Sequence, residues 1–193
     1  MRVLIAEDET IIRLDVRALL ERAGHDVVAE ARDGQEAVAL AAEHEPDLIV
    51  MDVRMPHMDG IEAAREISRA RPVPIVMLTA YAESDLVARA SEAGAFGYLV
   101  KPFREVDLLP AIDTARARFE ELDALRAETA DLAEALASRK AVERAKGILM
   151  RQDGIDEAEA FRRIRAASQK TGKPMRVVAD ALIATLGAEA GEG

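Results

Sequence analysis

The chain has 193 residues, half of them hydrophobic, no cysteine and a formal net charge of −10. That length supports one good core plus a smaller module, and the lack of cysteine excludes a disulfide framework, a thiolate metal site and a cysteine nucleophile. No signal-peptide pattern precedes the first apolar run and no run approaches the roughly 18 residues that span a bilayer, so a soluble protein of the reducing cytoplasm, without membrane contact, is expected.

Taken in chain order, short apolar runs rich in β-branched residues occur at Val3 to Ala6, Val27 to Ala29, Leu48 to Met51, Ile75 to Thr79 and Gly97 to Val100, with helical periodicity between them. Strands alternating with helices predict a parallel sheet covered on both faces. In the first helix Ile12, Val16, Leu19 and Leu20 form the apolar face, and Arg13, Arg17, Glu21 and Arg22 the charged one. Five such units suit an α/β, flavodoxin-like, doubly wound fold with strand order 2-1-3-4-5.

From Val106 to Ala137 the strand pattern ends, and the one breaker is Pro110, which the first turn of a helix tolerates. Leu122, Leu125, Thr129, Leu132 and Leu136 follow 3-4-3-4 spacing among charged residues, a short coiled-coil seam that also fits a lone amphipathic helix packed on its own domain. After Ser138 three further helices are predicted. Val142, Ala145 and Leu149 line the first; Phe161 and Ile164 line the second, behind an Asp156 N-cap with Glu159 three residues on. Gly172 ends it, and Lys173-Pro174 opens the third, lined by Met175, Val178, Ala179, Leu182 and Leu186. The chain then divides into an α/β domain at 1–118, a coiled linker continuing its last helix at 119–138, a three-helix all-α domain at 139–187 and a disordered tail at 188–193.

In an open α/β sheet, ligands gather at the carboxyl ends of the strands. Glu7-Asp8, Asp52, Thr79-Ala80 and Lys101-Pro102 each fall at the end of a predicted strand. Acids collected there repel unless a cation joins them. Oxygen ligands without His or Cys suit octahedral Mg2+, with Asp8 and Asp52 as direct ligands and Glu7 acting through water. Asp52 is then the nucleophile toward a phosphoryl group, Lys101 pairs with a phosphoryl oxygen, and the Thr79 hydroxyl hydrogen-bonds it. Singly, each has an ordinary reading: a turn or cap for a strand-end Asp, β-propensity for Thr79, a solvated acid for Glu7, edge-strand packing for Tyr98. Four such residues on four strands of one sheet point to chemistry. No G-x-G-x-x-G follows the first strand and no G-x-x-x-x-G-K-[ST] occurs, so nucleotide folds lack their phosphate cradle. A phosphatase of the haloacid-dehalogenase type wants a second Asp where this chain has Arg54.

The run Asp52 to Gly60, of the form D-x-x-M-P-x-x-D-G, with Glu7-Asp8, Thr79-Ala80 and Lys101-Pro102, resembles response-regulator receiver domains over about residues 1–118. The resemblance implies phosphorylation of Asp52 by a sensor histidine kinase, Mg2+ on Asp8 and Asp52 with the Arg54 carbonyl, and a cis Lys101-Pro102 peptide. It also implies a switch in which Thr79 moves toward the phosphoryl group and Tyr98 turns inward.

Beyond the linker the charge reverses: residues 139–193 hold 11 Lys+Arg against 8 Asp+Glu, whereas residues 1–103 hold 11 against 19. A basic module on an acidic carrier suggests a polyanionic partner, although helix surfaces carry Lys and Arg in any case. Lys140, Arg144 and Arg151 share a helix face around Gly147, where a backbone can approach closely. Phe161, the module's one aromatic, is expected in the core, which leaves no stacking platform for bases. Residues 139–186 resemble an ANTAR domain, the RNA-binding output of AmiR- and NasR-type antitermination regulators. The resemblance runs through Val142 to Met150 (VERAKGILM), Glu157 to Phe161, Ile164-Arg165, Ser168-Gln169 and Val178-Ala179. Together the segments resemble PdtaR-type response regulators over essentially the whole chain. That implies a phosphorylation-activated regulator, not a turnover enzyme, that binds paired RNA hairpins and acts by antitermination or a related post-transcriptional mechanism. The expected RNA contacts are Lys140, Arg144, Lys146, Arg165, Lys170 and Lys173, and the expected homodimer seam on activation is Leu122, Leu125, Leu132 and Leu136. A DNA-binding regulator and a protein-interaction adaptor are the alternatives.

Overall fold

The computed structural model describes residues 1–80 and 89–189, and the chain divides into two compact units, Met1–Asp123 and Ala124–Gly193. In the first unit, strands β1 (Arg2–Ala6), β2 (Asp26–Ala31), β3 (Leu48–Asp52), β4 (Ile75–Thr79) and β5 (Gly97–Val100) form one parallel sheet in the order 2-1-3-4-5, the flavodoxin-like arrangement expected. Helices α1 (Thr10–Arg22), α2 (Gly34–His44) and α3 (Gly60–Ala70) cross between the first four strands, and α4 (Glu105–Asp153) follows β5.

Successive strand side chains point to opposite faces of a sheet, and this period sorts the apolar residues into two cores. Leu4, Ile49, Met51, Ile75 and Met77 pack with α2 and α3. Val3, Ile5, Leu48, Val50, Val76 and Leu78 pack with α1 and with Leu108, Ile112 and Ala115 of α4. Central strands covered on both faces need unbroken apolar runs, which is why β3 and β4 show no alternation. The edge strand β5 does alternate, and its Tyr98 is 51% exposed. Both α2 and α3 start on an aspartate: the Glu36 and Glu62 N–H groups donate to Asp33 Oδ1 and Asp59 Oδ1 at 2.8 and 2.7 Å. Each such cap satisfies a helix-terminal donor and stabilises by about 1 kcal/mol.

In the second unit the end of α4 packs with α5 (Glu157–Thr171) and α6 (Met175–Glu189) around Val142, Ala145, Leu149, Ala160, Ile164 and Ala179. As expected, Asp156 caps α5, accepting from Glu159 N–H at 2.7 Å, and Gly172 ends it at φ 67°. Among the described residues no helix is long and apolar enough to cross a membrane.

Several expectations need correction. There is no break at Ser138: α4 is one helix of 49 residues, so the linker and the first helix of the C-terminal module are a single element. Alanines, Arg139 and Lys140 around Ser138 are strong helix formers and nothing there stops propagation. Pro110 lies in the second turn of α4, not the first; Val106, whose carbonyl the missing N–H would have met, is 65% exposed and open to water. Arg13 is buried although it was placed on the charged face of α1. Phe161 is 39% exposed, because Ala160 and Ile164 fill the inward positions of α5. Helix α6 reaches Glu189, two residues into the expected tail, and residues 190–193 lie outside the described residues.

Gly60, the first residue of α3, lies against the Asp52 main chain, where an added Cβ would be 2.0 Å from the Asp52 carbonyl oxygen. Because the obstacle is backbone, Gly60→Ala should destabilise the first unit by about 1–3 kcal/mol, seen as a lower urea midpoint at unchanged slope. Gly24→Ala, with φ 81° but no atom within 4 Å, should cost only backbone strain, roughly 1 kcal/mol. Equal midpoints for Gly60→Ala and wild type would contradict the close approach.

Candidate functional site

Strand register brings the pocket together. Ala6 pairs with Met51, Asp52 with Leu78, and Thr79 with Val100, so Glu7, Asp52, Thr79 and Lys101 come to one edge of the sheet. Lys101 N–H donates to the Thr79 carbonyl at 2.8 Å, and Lys101-Pro102 is cis. Glu7 is fully buried, which removes the reading of it as a solvated acid; Asp52 and Thr79 are also buried, while Asp8 and Ala80 are exposed. Lys101 Nζ lies 2.6 Å from Glu7 Oε2 and 3.0 Å from Asp52 Oδ2.

Glu7, Asp8 and Asp52 each offer a carboxylate oxygen, all within 4.8 Å of one another. Two like charges about 4 Å apart repel by about 4 kcal/mol at an effective dielectric of 20. One ammonium among three carboxylates leaves an excess of negative charge. Burial pushes both Asp52 and Glu7 above the usual carboxylate range, and hydrogen bonding to Lys101 only partly opposes it. Burial would lower Lys101, but its hydrogen bonds to Glu7 and Asp52 and their charges outweigh this and hold it above its ordinary value. Glu7 Oε2 is enclosed, with the Lys101 ammonium at 2.6 Å. An all-oxygen pocket that keeps an excess of negative charge even with this lysine in place fits a hard divalent cation.

Arg13 supports this pocket, and the sequence reading missed it. Its guanidinium donates to the Glu7 carbonyl at 2.6 Å and to the Asp8 carbonyl at 3.4 Å, and pairs with Glu30 at 3.3 Å. It thereby fixes the backbone that carries both acids. The signal was present: Arg13 stands at i, i+3, i+7 spacing with Val16 and Leu20, the buried residues of α1. A second unforeseen contact joins His57 Nδ1 to Asp33 at 3.1 Å, tying the loop after β3 to the cap of α2.

In the second unit Lys140, Arg144, Arg165, Lys170 and Lys173 are exposed and make no ion pair among the described residues. Arg162 and Arg163 are held by Glu159, Arg163 also by Asp153, and Arg176 by Glu134 and Asp180. Lys146 is different, for it is buried and its ammonium donates to both Glu143 oxygens at 2.8 and 2.9 Å and to Glu157 at 2.6 Å. It ties α4 to the start of α5. Leu122, Leu125, Leu132 and Leu136 are all exposed, as is every residue from 120 to 136.

Residues 3–113 match the family described as response regulator receiver domain, and residues 130–183 match the ANTAR domain. The transcriptional regulatory protein PdtaR of Mycobacterium tuberculosis is 53% identical over 186 residues, 96% of this chain and 91% of that protein. Among solved structures, the receiver domain of the putative response regulator NarL from the same organism aligns with TM-score 0.57 at 34% identity, covering 60% of this chain and 95% of that one. The CheX–CheY–BeF3–Mg2+ complex of Borrelia burgdorferi aligns with TM-score 0.57 at 27% identity, over 58% of this chain and 86% of that one. With both domain families matched and a relative of this identity along nearly the whole chain, the chain belongs to the response regulators that join a receiver domain to an ANTAR domain.

Proposed function

We propose that this protein accepts a phosphoryl group on Asp52 from a sensor histidine kinase and in that state pairs as a homodimer to bind structured RNA hairpins, controlling expression by antitermination or a related post-transcriptional mechanism. The observation that carries the first half is the meeting of Glu7, Asp8, Asp52 and Lys101 at one sheet edge. Receiver domains bind Mg2+ at an acidic pocket, and here Asp8, Asp52 and the Arg54 carbonyl would hold it, with Glu7 acting through water. When bound, the ion neutralises charge on the incoming phosphoryl group.

In the transfer an Asp52 carboxylate oxygen forms a bond to phosphorus while the phosphorus–nitrogen bond to the donor imidazole breaks, the electron pair leaving with the imidazole. Lys101, already at Asp52, pairs with a phosphoryl oxygen, and the Thr79 hydroxyl donates to it. Displacement of Thr79 and inward rotation of the exposed Tyr98 then alter the surface along β5. The exposed residues along α4 from 120 to 136, with the leucine stripe among them, support pairing of two copies there. The domains are taken as 1–118, 119–138 and 139–187, with the last helix running on to Glu189. For RNA, the exposed bases Lys140, Arg144, Arg165, Lys170 and Lys173 supply phosphate contacts, whereas Lys146 holds Glu143 and Glu157 in place.

The deciding experiment is binding of tandem-hairpin RNA and duplex DNA at matched salt, by wild type and Asp52→Ala, with and without an acyl-phosphate donor and Mg2+. RNA preference that strengthens only in phosphorylated wild type is expected. Preference for duplex would reassign the output to DNA, and binding of neither to protein contacts.

Asp52→Asn should abolish phosphoryl acceptance on phosphate-affinity gels and, in metal-free buffer at neutral pH, stabilise the receiver by ~1 kcal/mol, about 4–6 °C in Tm. The sign follows from linkage: a carboxyl raised in the folded state favours folding below its unfolded pKa and loses that contribution as pH rises through the folded value. The Tm difference should therefore vanish below the ordinary carboxylate range. A difference that grows on acidification would contradict it.

Leu125→Asp combined with Leu132→Asp should leave the activated protein monomeric by light scattering and weaken hairpin binding at least tenfold. Undiminished binding by a monomer would sink the dimer model. Gly147 has only the Arg151 guanidinium within 4 Å of an added Cβ. Gly147→Ala should therefore stabilise the helix by about 0.5–1 kcal/mol and yet weaken RNA binding, if the RNA backbone passes over that open space. Stabilisation with unchanged affinity would move the contact elsewhere.

A further inference from the structure

Phe161 stands on the surface of a core that is complete without it. Ala160 and Ile164 fill the inward positions of α5, and Phe161, 39% exposed, lines an open groove of about 420 Å3 between α5, α4 and the start of α6. Val142 and Met175 give the groove further apolar surface, and Ser138, Arg139 and Glu143 supply its polar side. An extended peptide helix would need a longer apolar groove with anchors at i, i+3, i+4 and i+7. One aromatic ring beside a guanidinium and a carboxylate suits a single flat heteroaromatic group that carries a phosphate.

The surrounding charge selects among such groups. Arg139 lines the groove and makes no ion pair among the described residues, so that side is open to an anion, and Lys140 and Arg144 of the same helix are likewise exposed and without an ion pair among the described residues. Glu143 is held by Lys146 through both carboxylate oxygens, at 2.8 and 2.9 Å, and so presents fixed acceptors at the groove. A carboxylate there accepts from an exocyclic amino group, which cytosine, adenine and guanine carry and uracil lacks. Resting on the RNA-binding reading above, we propose that Phe161 is the platform on which one unpaired, amino-bearing base of the RNA loop stacks. Arg139 meets the adjoining phosphate, and Glu143 with Ser138 faces the base edge. The sequence reading, which put Phe161 in the core, had excluded a stacking mode that the exposed ring restores.

The test uses the full chain, activated with beryllium fluoride and Mg2+, and a tandem-hairpin RNA selected against it from a randomised-loop pool, with 2-aminopurine placed at each loop position in turn. Wild type and Phe161→Tyr should quench the fluorophore at one position. Phe161→Leu should not quench it and should bind roughly tenfold more weakly, the loss of one stacked base, with the salt dependence unchanged. Arg139→Gln should instead lower the slope of log affinity against log salt by about 1. Equal affinity and equal quenching with Phe161→Leu would overturn the proposal and leave the RNA reading intact. A change of dimer mass with Phe161→Leu in light scattering would assign the groove to the contact between copies and also overturn it. If the pool yields no binder to wild type, the RNA reading itself fails and the stacking site falls with it.

Discussion

The receiver depends on one ammonium group held between two buried carboxylates. Parallel register leaves little freedom here, because once Ala6 pairs with Met51 the next residues, Glu7 and Asp52, must come out at neighbouring strand ends. The sheet therefore concentrates negative charge where water is scarce. Lys101 relieves part of it, from a position fixed by the hydrogen bond of its own N–H to Thr79. Burial still outweighs that pairing, so the carboxyls stay above their ordinary range. On the proposed phosphorylation of Asp52, a cation and a phosphoryl group would relieve this excess of charge, and a local covalent change would gain leverage over the fold.

That leverage needs a route outward, and among the described residues α4 is the element that contributes to both units' cores. Leu108, Ile112 and Ala115 belong to the first, and Val142, Ala145 and Leu149 to the second. Between them lies a stretch exposed on every side, with leucines at coiled-coil spacing. Around Ser138 the helix runs unbroken, so the linker and the first helix of the C-terminal module are continuous. The exposed leucines and the unbroken helix are what the proposed pairing of copies along α4 rests on.

Much of this was legible in the sequence, for identifiable reasons. Strand ends were readable because period-2 and period-3.6 patterns switch sharply in a parallel α/β chain, and chemistry-bearing residues stood at each switch. Asp156 and Gly172 were readable because caps have strong local signatures. What escaped depended on distinctions a pattern does not encode. Arg13 is charged yet buried, since its guanidinium finds carbonyls at the end of β1. Phe161 is apolar yet exposed, since two smaller or better-placed neighbours take the core. In both cases hydrophobicity predicts the helix face while the partner across the interface decides the residue.

The same distinction governs the basic module. Lys146 lies in the run most characteristic of the C-terminal resemblance, and by charge alone it is indistinguishable from Lys140. Its ammonium, however, is spent on Glu143 and Glu157, which bracket the junction of α4 and α5. Without it, the Glu143 carboxylate would be released at the groove that Phe161 lines and the Glu157 carboxylate at the start of α5, adding repulsion toward any polyanion and loosening that junction together. On the proposed RNA-binding reading, a lysine held in this way would act on affinity indirectly, and its loss would resemble the loss of a direct phosphate contact in everything except the salt dependence. Counterion release follows only the charges that reach phosphate, which makes the salt slope the quantity that separates residues that build this surface from residues that bind through it.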